Sequence, residues 1–511
     1  MKHYPNRLWV LVGTFTIFRL LVAHFLELGN DEVYYWTYAQ HLQWAYFDHP
    51  PMVALSVWLS TFGNLLHPEV FVRLGAMLAS AISTLLIYQL GQTLYNERAG
   101  WYASLLYSAS FYCSLIAGTF ILPDSPQMPF WLAGILLLFK INKATQSNLP
   151  TAKLWCWFGL IAGICTLCKV HGLFLWIAVG LFALLANRKW LQDRWLYLAG
   201  LISLIVIAPI IIWNIQHQFI TYTYHGNRVS LAHAQLNYLA FAREIFGEIF
   251  YNNPVVFFLA WISVWQLNQG RLTIDKKERW LLLCTALPLI FALLLLALFR
   301  ETLPHWSGPA YSVLLLMAAI NLAKTHPTGT PKIIVGALAF FFATAIAGII
   351  LINCYPGTLN PQQDPLQYGK GDITLDLYGW KEAGLKFDSL YRRDVSQQNM
   401  PAKAPIIINK WFPAAHIDYY ICSITGQHTL AIGSLFDLHQ YQFYNARKQQ
   451  LAKGDSAYYI ISSHLFDQNS LRFNQSLFTK TDAPVMIPLY RNKLLCRYLL
   501  VYRLRGFKGY P

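Results

Sequence analysis

Charge is what this 511-residue chain has least of: Asp, Glu, Lys and Arg together make up 12% of it, against about 25% in soluble globular proteins. With 56% hydrophobic residues and a mean hydropathy of +0.36, so sparse a charge excludes an ordinary soluble protein and leaves an integral membrane one. The chain lacks a basic stripe on a soluble module, so its net charge of +15 does not mark a nucleic-acid binder; loop cations account for it. Internal repeats and low-complexity segments are absent. The first apolar run has no small-residue cleavage site and reads as a retained helix rather than a signal peptide. Cysteine is scattered. Cys165 and Cys168 form a CxxC inside "LIAGICTLCKV", where packing in a helix is expected rather than metal binding, and only Cys354, Cys422 and Cys496 fall where a disulfide is feasible.

What is present is a series of apolar runs near 8–28, 70–91, 99–118, 127–141, 154–168, 173–187, 195–213, 251–267, 280–298, 308–323 and 333–353. Read as about eleven transmembrane helices, they leave inner segments 1–7, 92–98, 140–153, 187–194, 268–279 and 324–332, which hold 15 Lys and Arg. The outer loops 29–69, 119–126, 169–172, 214–250 and 299–307 hold 4: Lys169, Arg228, Arg243 and Arg300. Cytoplasmic loops carry the excess of Lys and Arg, so the N-terminus is expected inside and residues 354–511 outside. The pair of runs around "CKVHG" also reads as one broken helix. Beyond residue 353 the composition turns soluble. "APIIINKWF" and "DSAYYIISS" read as short buried strands and "FDLHQYQFYNARKQQLAKG" as helix. The expected architecture is mostly α: a polytopic membrane domain, 1–353, and a C-terminal soluble α/β or α+β domain, 354–511.

Each outer loop carries polar groups. The first has Asp31, Glu32 and "YFDHPP" with Asp48 and His49; the second has Asp124 in "LPDSP"; the third has Lys169 and His171 in "CKVHG". The fourth has His217, His225 and Arg228, and the fifth Glu301, His305 and Trp306. Residues 31–45 are helix-compatible and rich in aromatics, among them Tyr34, Tyr35 and Trp36. This pattern predicts an amphipathic helix flat at the membrane interface, capped by Asn30 or Asp31. Pro50 and Pro51 turn the chain back toward the bilayer. Arg73 lies near the outer end of the second span, where it either snorkels to headgroups or meets an anion; Arg19, inside the first span, needs a partner.

The segment "DEVYYWTYAQHLQWAYFDHPPMVAL" resembles the first outer loop of bacterial GT-C glycosyltransferases, the group of protein O-mannosyltransferases and lipid A aminoarabinose transferases. "LPDSPQMPFW", "CKVHGLFL", "WNIQHQFITYTYHGNRV" and "LPHWSGPAYSVLLL" resemble later blocks of the same group in the same order. The resemblance covers roughly residues 8–325. It implies a polyprenyl-phosphate sugar donor, transfer outside the bacterial cytoplasmic membrane, and a lipid or protein acceptor. It makes Asp31 the candidate base with Glu32 in support. Arg73, Asp124, Lys169, Arg228 and His305 become candidates for holding the donor's phosphate and sugar, and Tyr34, Tyr35, Asp48 and His49 for positioning the acceptor or the loop.

The chemistry suits these residue types. Sugar transfer from a lipid monophosphate needs a carboxylate to take the acceptor's proton and cations to hold the leaving phosphate. Single displacement with inversion is the expected course. The chain has no D-x-D motif, the usual seat of a divalent ion on a nucleotide-diphosphate sugar, which fits a lipid monophosphate donor. No cofactor is required, although Asp31, Glu32 and a nearby His leave a divalent metal open. The alternatives are a polyprenyl-lipid transporter or flippase, disfavoured by the missing inverted repeat and the acids' place in outer loops; a ligase or polymerase of envelope glycans; and a non-catalytic scaffold.

Overall fold

Segments that enter a bilayer must satisfy their backbone groups internally, and every apolar run named above is built on a helix. The computed structural model describes residues 4–230, 235–270, 272 and 274–510. Lys2 and Arg271, counted above among the inner cations, lie outside the described residues. Helices of seven residues or more are α1 (Asn6–Phe25), α2 (Asn30–Gln40), α3 (Met52–Ser60), α4 (Glu69–Leu94), α5 (Glu97–Ala109), α6 (Asp124–Gln146), α7 (Ala152–Cys168), α8 (Phe174–Leu185) and α9 (Arg194–Gln216). They continue with α10 (Ile220–Val229), α11 (Tyr238–Tyr251), α12 (Pro254–Asn268), α13 (Lys276–Ala297), α14 (Gly308–Thr325), α15 (Lys332–Cys354), α16 (Trp380–Ser396), α17 (Trp411–Ile417) and α18 (Gln468–Leu477). Two compact units result: Met1–Leu21 with Leu42–Ala345, and Val22–His41 with Ile346–Pro511.

Among the described residues six helical runs are long and apolar enough to cross a membrane: α1, α4, α9, α13, α15 and Pro304–Thr325, which ends in α14. A seventh is counted if α11 and α12, bent by 101° at their junction, form one span. The other expected spans are helical but shorter or less apolar, so eleven crossings are not established by length and hydropathy. α9 leaves Leu201, Leu204, Ile205, Ile212 and Ile215 exposed, and α15 leaves Val335, Ile346 and Ile350 exposed, faces that only lipid covers without penalty. α14 is the opposite case. It is buried on every side from Gly308 to Ile320 and forms the unit's core.

α7 and α9 touch backbone to backbone. A Cβ on Gly159 would stand 2.4 Å from the Ala199 carbonyl oxygen, and one on Gly163 would stand 2.8 Å from Val206 Cβ. The Ser203 hydroxyl donates to the Gly159 carbonyl at 2.5 Å across this seam. Small residues at i and i+4 are what let two apolar helices approach this closely. The helical runs are interrupted at "CKVHG": α7 stops at Cys168, Lys169 is extended, and a 3₁₀ turn Val170–Leu173 leads into α8.

The second unit holds one mixed sheet of β1 (Ile406–Ile408), β2 (Thr429–Ala431), β3 (Ala457–Ser462), β4 (Phe478–Thr481), β5 (Val485–Arg491) and β6 (Leu494–Phe507). Its order is β2-β1-β3-β6-β4, with β5 also on β6. β1 is parallel to β2 and β3, and the other pairings are antiparallel. At 14 residues, β6 is long enough to carry β3 on one edge and both β5 and β4 along the other. Both strand expectations hold, as β1 and β3. The expected helix over 436–454 does not form; two four-residue turns, Leu435–Leu438 and Tyr441–Tyr444, flank His439, whose φ of +50° breaks the helix between them. Cys354, Cys422 and Cys496 are free thiols, as are Cys165 and Cys168 inside α7.

Gly159→Ala should lower the unfolding temperature of the full-length protein in detergent, with overpacking of about 1–3 kcal/mol exceeding the helix-propensity gain of alanine. Gly180→Ala in α8, where an added Cβ meets nothing within 4 Å, should leave it unchanged or raise it.

Candidate functional site

The first unit gathers residues from five separated stretches. Asp124 is the first residue of α6, where the helix's free N–H groups and dipole favour a carboxylate. Its Oδ1 accepts from Lys169 Nζ at 2.9 Å and from the Tyr112 hydroxyl at 2.9 Å, and its Oδ2 accepts from Lys169 Nζ at 2.8 Å. Both partners of the ion pair are buried, Asp124 to 1% exposure and Lys169 to 5%. The helix break at Lys169 makes this possible, because an extended residue there turns the side chain out of the α7 face and leaves its carbonyl to accept from Gln127 Nε2 at 3.3 Å. Tyr112 lies in a π-helical turn, Tyr112–Ile116, and packs its ring where a side chain on Gly308 would stand, 2.4 Å from an added Cβ.

Histidines and aromatics ring this pair. His49 lies in the electrostatic reach of Asp48, His225, Lys169 and Asp124, and its desolvation among them keeps it neutral, below the usual imidazole range. His225 Nε2 donates to the Asp48 carbonyl at 2.8 Å, and the His49 and His225 rings lie 6.4 Å apart. His305 and His171 are the other neighbours whose charge Asp124 would feel, and the His171 ring lies 6.2 Å from Trp306. Arg228, exposed near the end of α10, holds its guanidinium 5.4 Å from the Trp306 ring and 5.6 Å from Tyr224. Of the four outer cations, Lys169 is paired inside. Arg243 meets Glu301 on the surface at 3.3 Å, Arg300 Nε donates to the Ser230 carbonyl at 2.8 Å, and Arg228 alone presents an exposed charge on an aromatic platform without a carboxylate partner among the described residues.

Arg73 is fully buried and stands over Phe120 at 5.4 Å, so it does not snorkel to headgroups. Arg19 finds its partner in the Ser114 carbonyl, 3.4 Å away in the π-helical turn. Two acids escaped the sequence reading. Glu244 and Glu248 lie one turn apart on α11, both buried, and accept hydroxyl bonds from Thr302 at 2.6 Å and Tyr311 at 2.9 Å. They tie down both ends of the segment carrying His305 and Trp306. The signal was there: two acids at i, i+4 in an apolar helix are expensive unless they are used.

Asp31, Glu32, Tyr34 and Tyr35 belong to the second unit. The cap of α2 is Gly29, not Asn30 or Asp31, because Glu32 reaches back to accept from the Gly29 N–H at 2.9 Å. Glu32 is buried and Asp31 exposed. The helix ends at Gln40, short of residue 45, and its aromatics are not laid on a membrane surface. Residues 32–39 are all buried. The Tyr34 ring lies tilted 4.7 Å from Trp411 and its hydroxyl accepts from the Gln440 N–H at 3.1 Å, while Trp36 meets Tyr419 edge-on at 4.9 Å. Among the described residues no three His, Cys, Asp or Glu side chains gather as a metal site.

In the same unit His464 is buried between Asp376, which it meets at 3.3 Å, and Arg497, which points a guanidinium N–H at its Nδ1 from 3.2 Å. Burial, with Arg497 adding to it, pushes its pKa down to about 4. The folded state therefore refuses a proton that the unfolded chain accepts near pH 6.5, so this group's stabilisation is complete at pH 7 and is lost as pH falls from 6.5 toward 4. Thermal unfolding of the full-length protein should show a loss of roughly 2 kcal/mol from His464 between pH 7 and pH 5, and His464→Gln should be less acid-sensitive by that amount. Lys169→Met should destabilise the first unit by about 3–5 kcal/mol by leaving a buried carboxylate uncompensated, and Lys169→Met with Asp124→Leu should recover part of it, both read from unfolding midpoints.

Residues 48–213 match the family model described as dolichyl-phosphate-mannose-protein mannosyltransferase. Among curated proteins the chain is similar to the lipid A galacturonosyltransferase RgtD of Rhizobium johnstonii, 23% identical over 64% of this chain and 67% of that one. It is also similar to the undecaprenyl phosphate-alpha-4-amino-4-deoxy-L-arabinose arabinosyl transferase of Erwinia tasmaniensis, 25% identical over 68% of this chain and 64% of that one. The chain thus spans about two thirds of the length of these relatives. Its fold matches crystal structures of ArnT from Cupriavidus metallidurans over 97% of this chain and 98% of that one at 12% identity, with TM-scores of 0.61 for the apo state and 0.60 for the form bound to undecaprenyl phosphate. The chain is thus similar in sequence to these sugar transferases and shares its fold with ArnT.

Proposed function

We propose that the protein transfers a sugar from a polyprenyl-phosphate donor to an envelope acceptor, first a lipid A-like glycolipid, at the outer face of the bacterial cytoplasmic membrane. The observation that carries this reading is the buried Asp124–Lys169 pair ringed by His49, His171 and His305 and bordered by Arg228. A buried ammonium already held by a carboxylate can turn toward an arriving phosphate, and an exposed guanidinium on an aromatic platform offers a bidentate grip on the same anion. The relatives' names support a lipid-linked donor: one acts with undecaprenyl phosphate-linked aminoarabinose, and another on lipid A.

The step balances without a redox partner. The acceptor hydroxyl attacks the sugar's anomeric carbon, the bond from that carbon to the phosphate oxygen breaks, and the proton passes to a carboxylate. The polyprenyl phosphate leaves with the bonding pair, and displacement from the opposite face inverts the centre. The base is assigned to Asp31, exposed at the start of α2, and Glu32 supports it by closing the helix cap beneath it. Arg228 and Lys169 neutralise the leaving phosphate, and Arg73, Asp124 and His305 complete the donor side. Tyr34 and Tyr35 hold α2, and Asp48 and His49 hold the first loop. The positive-inside pattern supports a cytoplasmic N-terminus and an outer-facing C-terminal part, and the change to a soluble composition supports a domain division near residue 353.

Mass spectrometry of envelope lipids from cells with the gene, without it, and with Asp31→Asn tests this. The expected result is a sugar-sized mass increment on a lipid that disappears in the last two strains, with the variant present in the membrane at normal amount and a fall of at least 10²-fold in product. An unchanged increment in Asp31→Asn rejects the base, and an increment on proteins alone moves the acceptor to a protein hydroxyl.

A further inference from the structure

The residues that immediately precede Asp31 are held by an unusual density of side-chain bonds from the sheet-bearing part of the second unit. The Glu27 carboxylate accepts from the N–H groups of Trp380 at 2.6 Å and Lys381 at 3.1 Å, at the start of α16. The Leu28 N–H donates to the Tyr420 hydroxyl at 2.7 Å. Asn30 donates through Nδ2 to Asp376 Oδ2 at 3.1 Å and meets His416 Nε2 through Oδ1 at 3.0 Å. The chemistry fixes the direction of this relay. The Asn30 amide nitrogen donates to the Asp376 carboxylate, so the amide oxygen, which only accepts, is left for His416, which must donate. His416 is itself clamped by a stack on Trp380 at 4.2 Å, and the Arg497 guanidinium lies over the other end of the system, 4.5 Å from the Trp380 ring.

This relay is poorly made as a stabilising device. His416 and Arg497 are fully buried, yet among the described residues His416 Nδ1 and Arg497 Nε have no hydrogen-bond partner. A partly satisfied buried polar network is less stable than an apolar core of the same shape. What it supplies instead is a fixed position for residues 27–30 and, through them, for the next side chain in the chain. The bonds to the glycine cap, to Asn30 and to Glu27 converge on one short stretch, and Asp31 is its exposed tip.

We propose that Asn30, Asp376 and His416 are positioning residues, and that the sheet-bearing part of the second unit serves the reaction by holding the Asp31 carboxylate in its working orientation. The proposal rests on the assignment of Asp31 as base. It gives the sheet-bearing part a defined role: without the relay the carboxylate is still present but no longer aimed, and misplacement by about 1 Å lowers turnover by about 10²-fold.

Four variants of the full-length chain test it in membrane vesicles that retain their own lipid donors, with the initial rate of the mass-shifted envelope lipid and deuterium exchange of the Gly29–Val33 amides as readouts. His416→Phe keeps the stack on Trp380 but loses the donor to Asn30; it should lower the rate 10- to 100-fold and raise exchange at Gly29–Val33 at least tenfold, with exchange in β3 and β6 unchanged. His416→Gln, which retains a donor, should restore the rate to within about threefold of the wild type. Asn30→Ala should reproduce His416→Phe and serves if the latter fails to fold. Asp31→Asn should abolish the product with exchange unchanged. A wild-type rate in His416→Phe or Asn30→Ala, or an equal loss in His416→Gln with the fold intact, overturns the positioning role while leaving the base assignment standing. A wild-type rate in Asp31→Asn overturns both.

Discussion

The Asp124–Lys169 ion pair is the constraint around which the first unit is arranged. Two opposite charges in an apolar interior must be close, well oriented and hydrogen-bonded further, or they are not tolerated. Everything near them meets that demand. α6 starts at Asp124 and so turns its free N–H groups toward the carboxylate, α7 stops one residue short of Lys169, and the π-helical turn brings the Tyr112 hydroxyl to the same oxygen. Gly308 at the head of the buried helix α14 leaves the room in which the Tyr112 ring lies.

The histidines follow from the same electrostatics. Placed beside a fixed ammonium and half-buried, an imidazole stays neutral and offers a donor and an acceptor rather than a second charge. The cluster therefore carries one exposed permanent cation, Arg228, whose planar guanidinium lies against Trp306 and Tyr224. Glu244 and Glu248 act one layer out, holding the ends of the stretch that brings His305 and Trp306 in.

In the second unit two adjacent acids have been given opposite environments. Glu32 is buried and closes the cap of α2, whereas Asp31 is exposed at the helix start. An exposed carboxylate stays reachable from solvent, and a buried one can fix a backbone. The aromatic residues of α2 serve that second requirement. Tyr34 and Trp36 pack on Trp411 and Tyr419, which makes the helix part of a folded core.

The sequence by itself determined the membrane-embedded class, the place of each apolar helix, the two strands β1 and β3, and the blocks from which the charged site is drawn, because runs of about 20 apolar residues and loop charges are local signals. It was misleading where a local pattern had a tertiary competitor. The aromatic stretch after Asp31 has the composition of an interfacial helix but is claimed by a protein core, Asn30 was freed from capping by Glu32, and the helix expected over 436–454 is interrupted at His439. Arg73 looked free to reach headgroups until packing enclosed it. Only the tertiary structure decided which exposed outer cation meets a carboxylate and which lies on aromatic rings, which acid caps and which is presented, and how Asn30, Asp376 and His416, far apart in the chain, form one relay. The physical reason is that burial and hydrogen-bond partnership are properties of the assembled interior, and no window of sequence contains them.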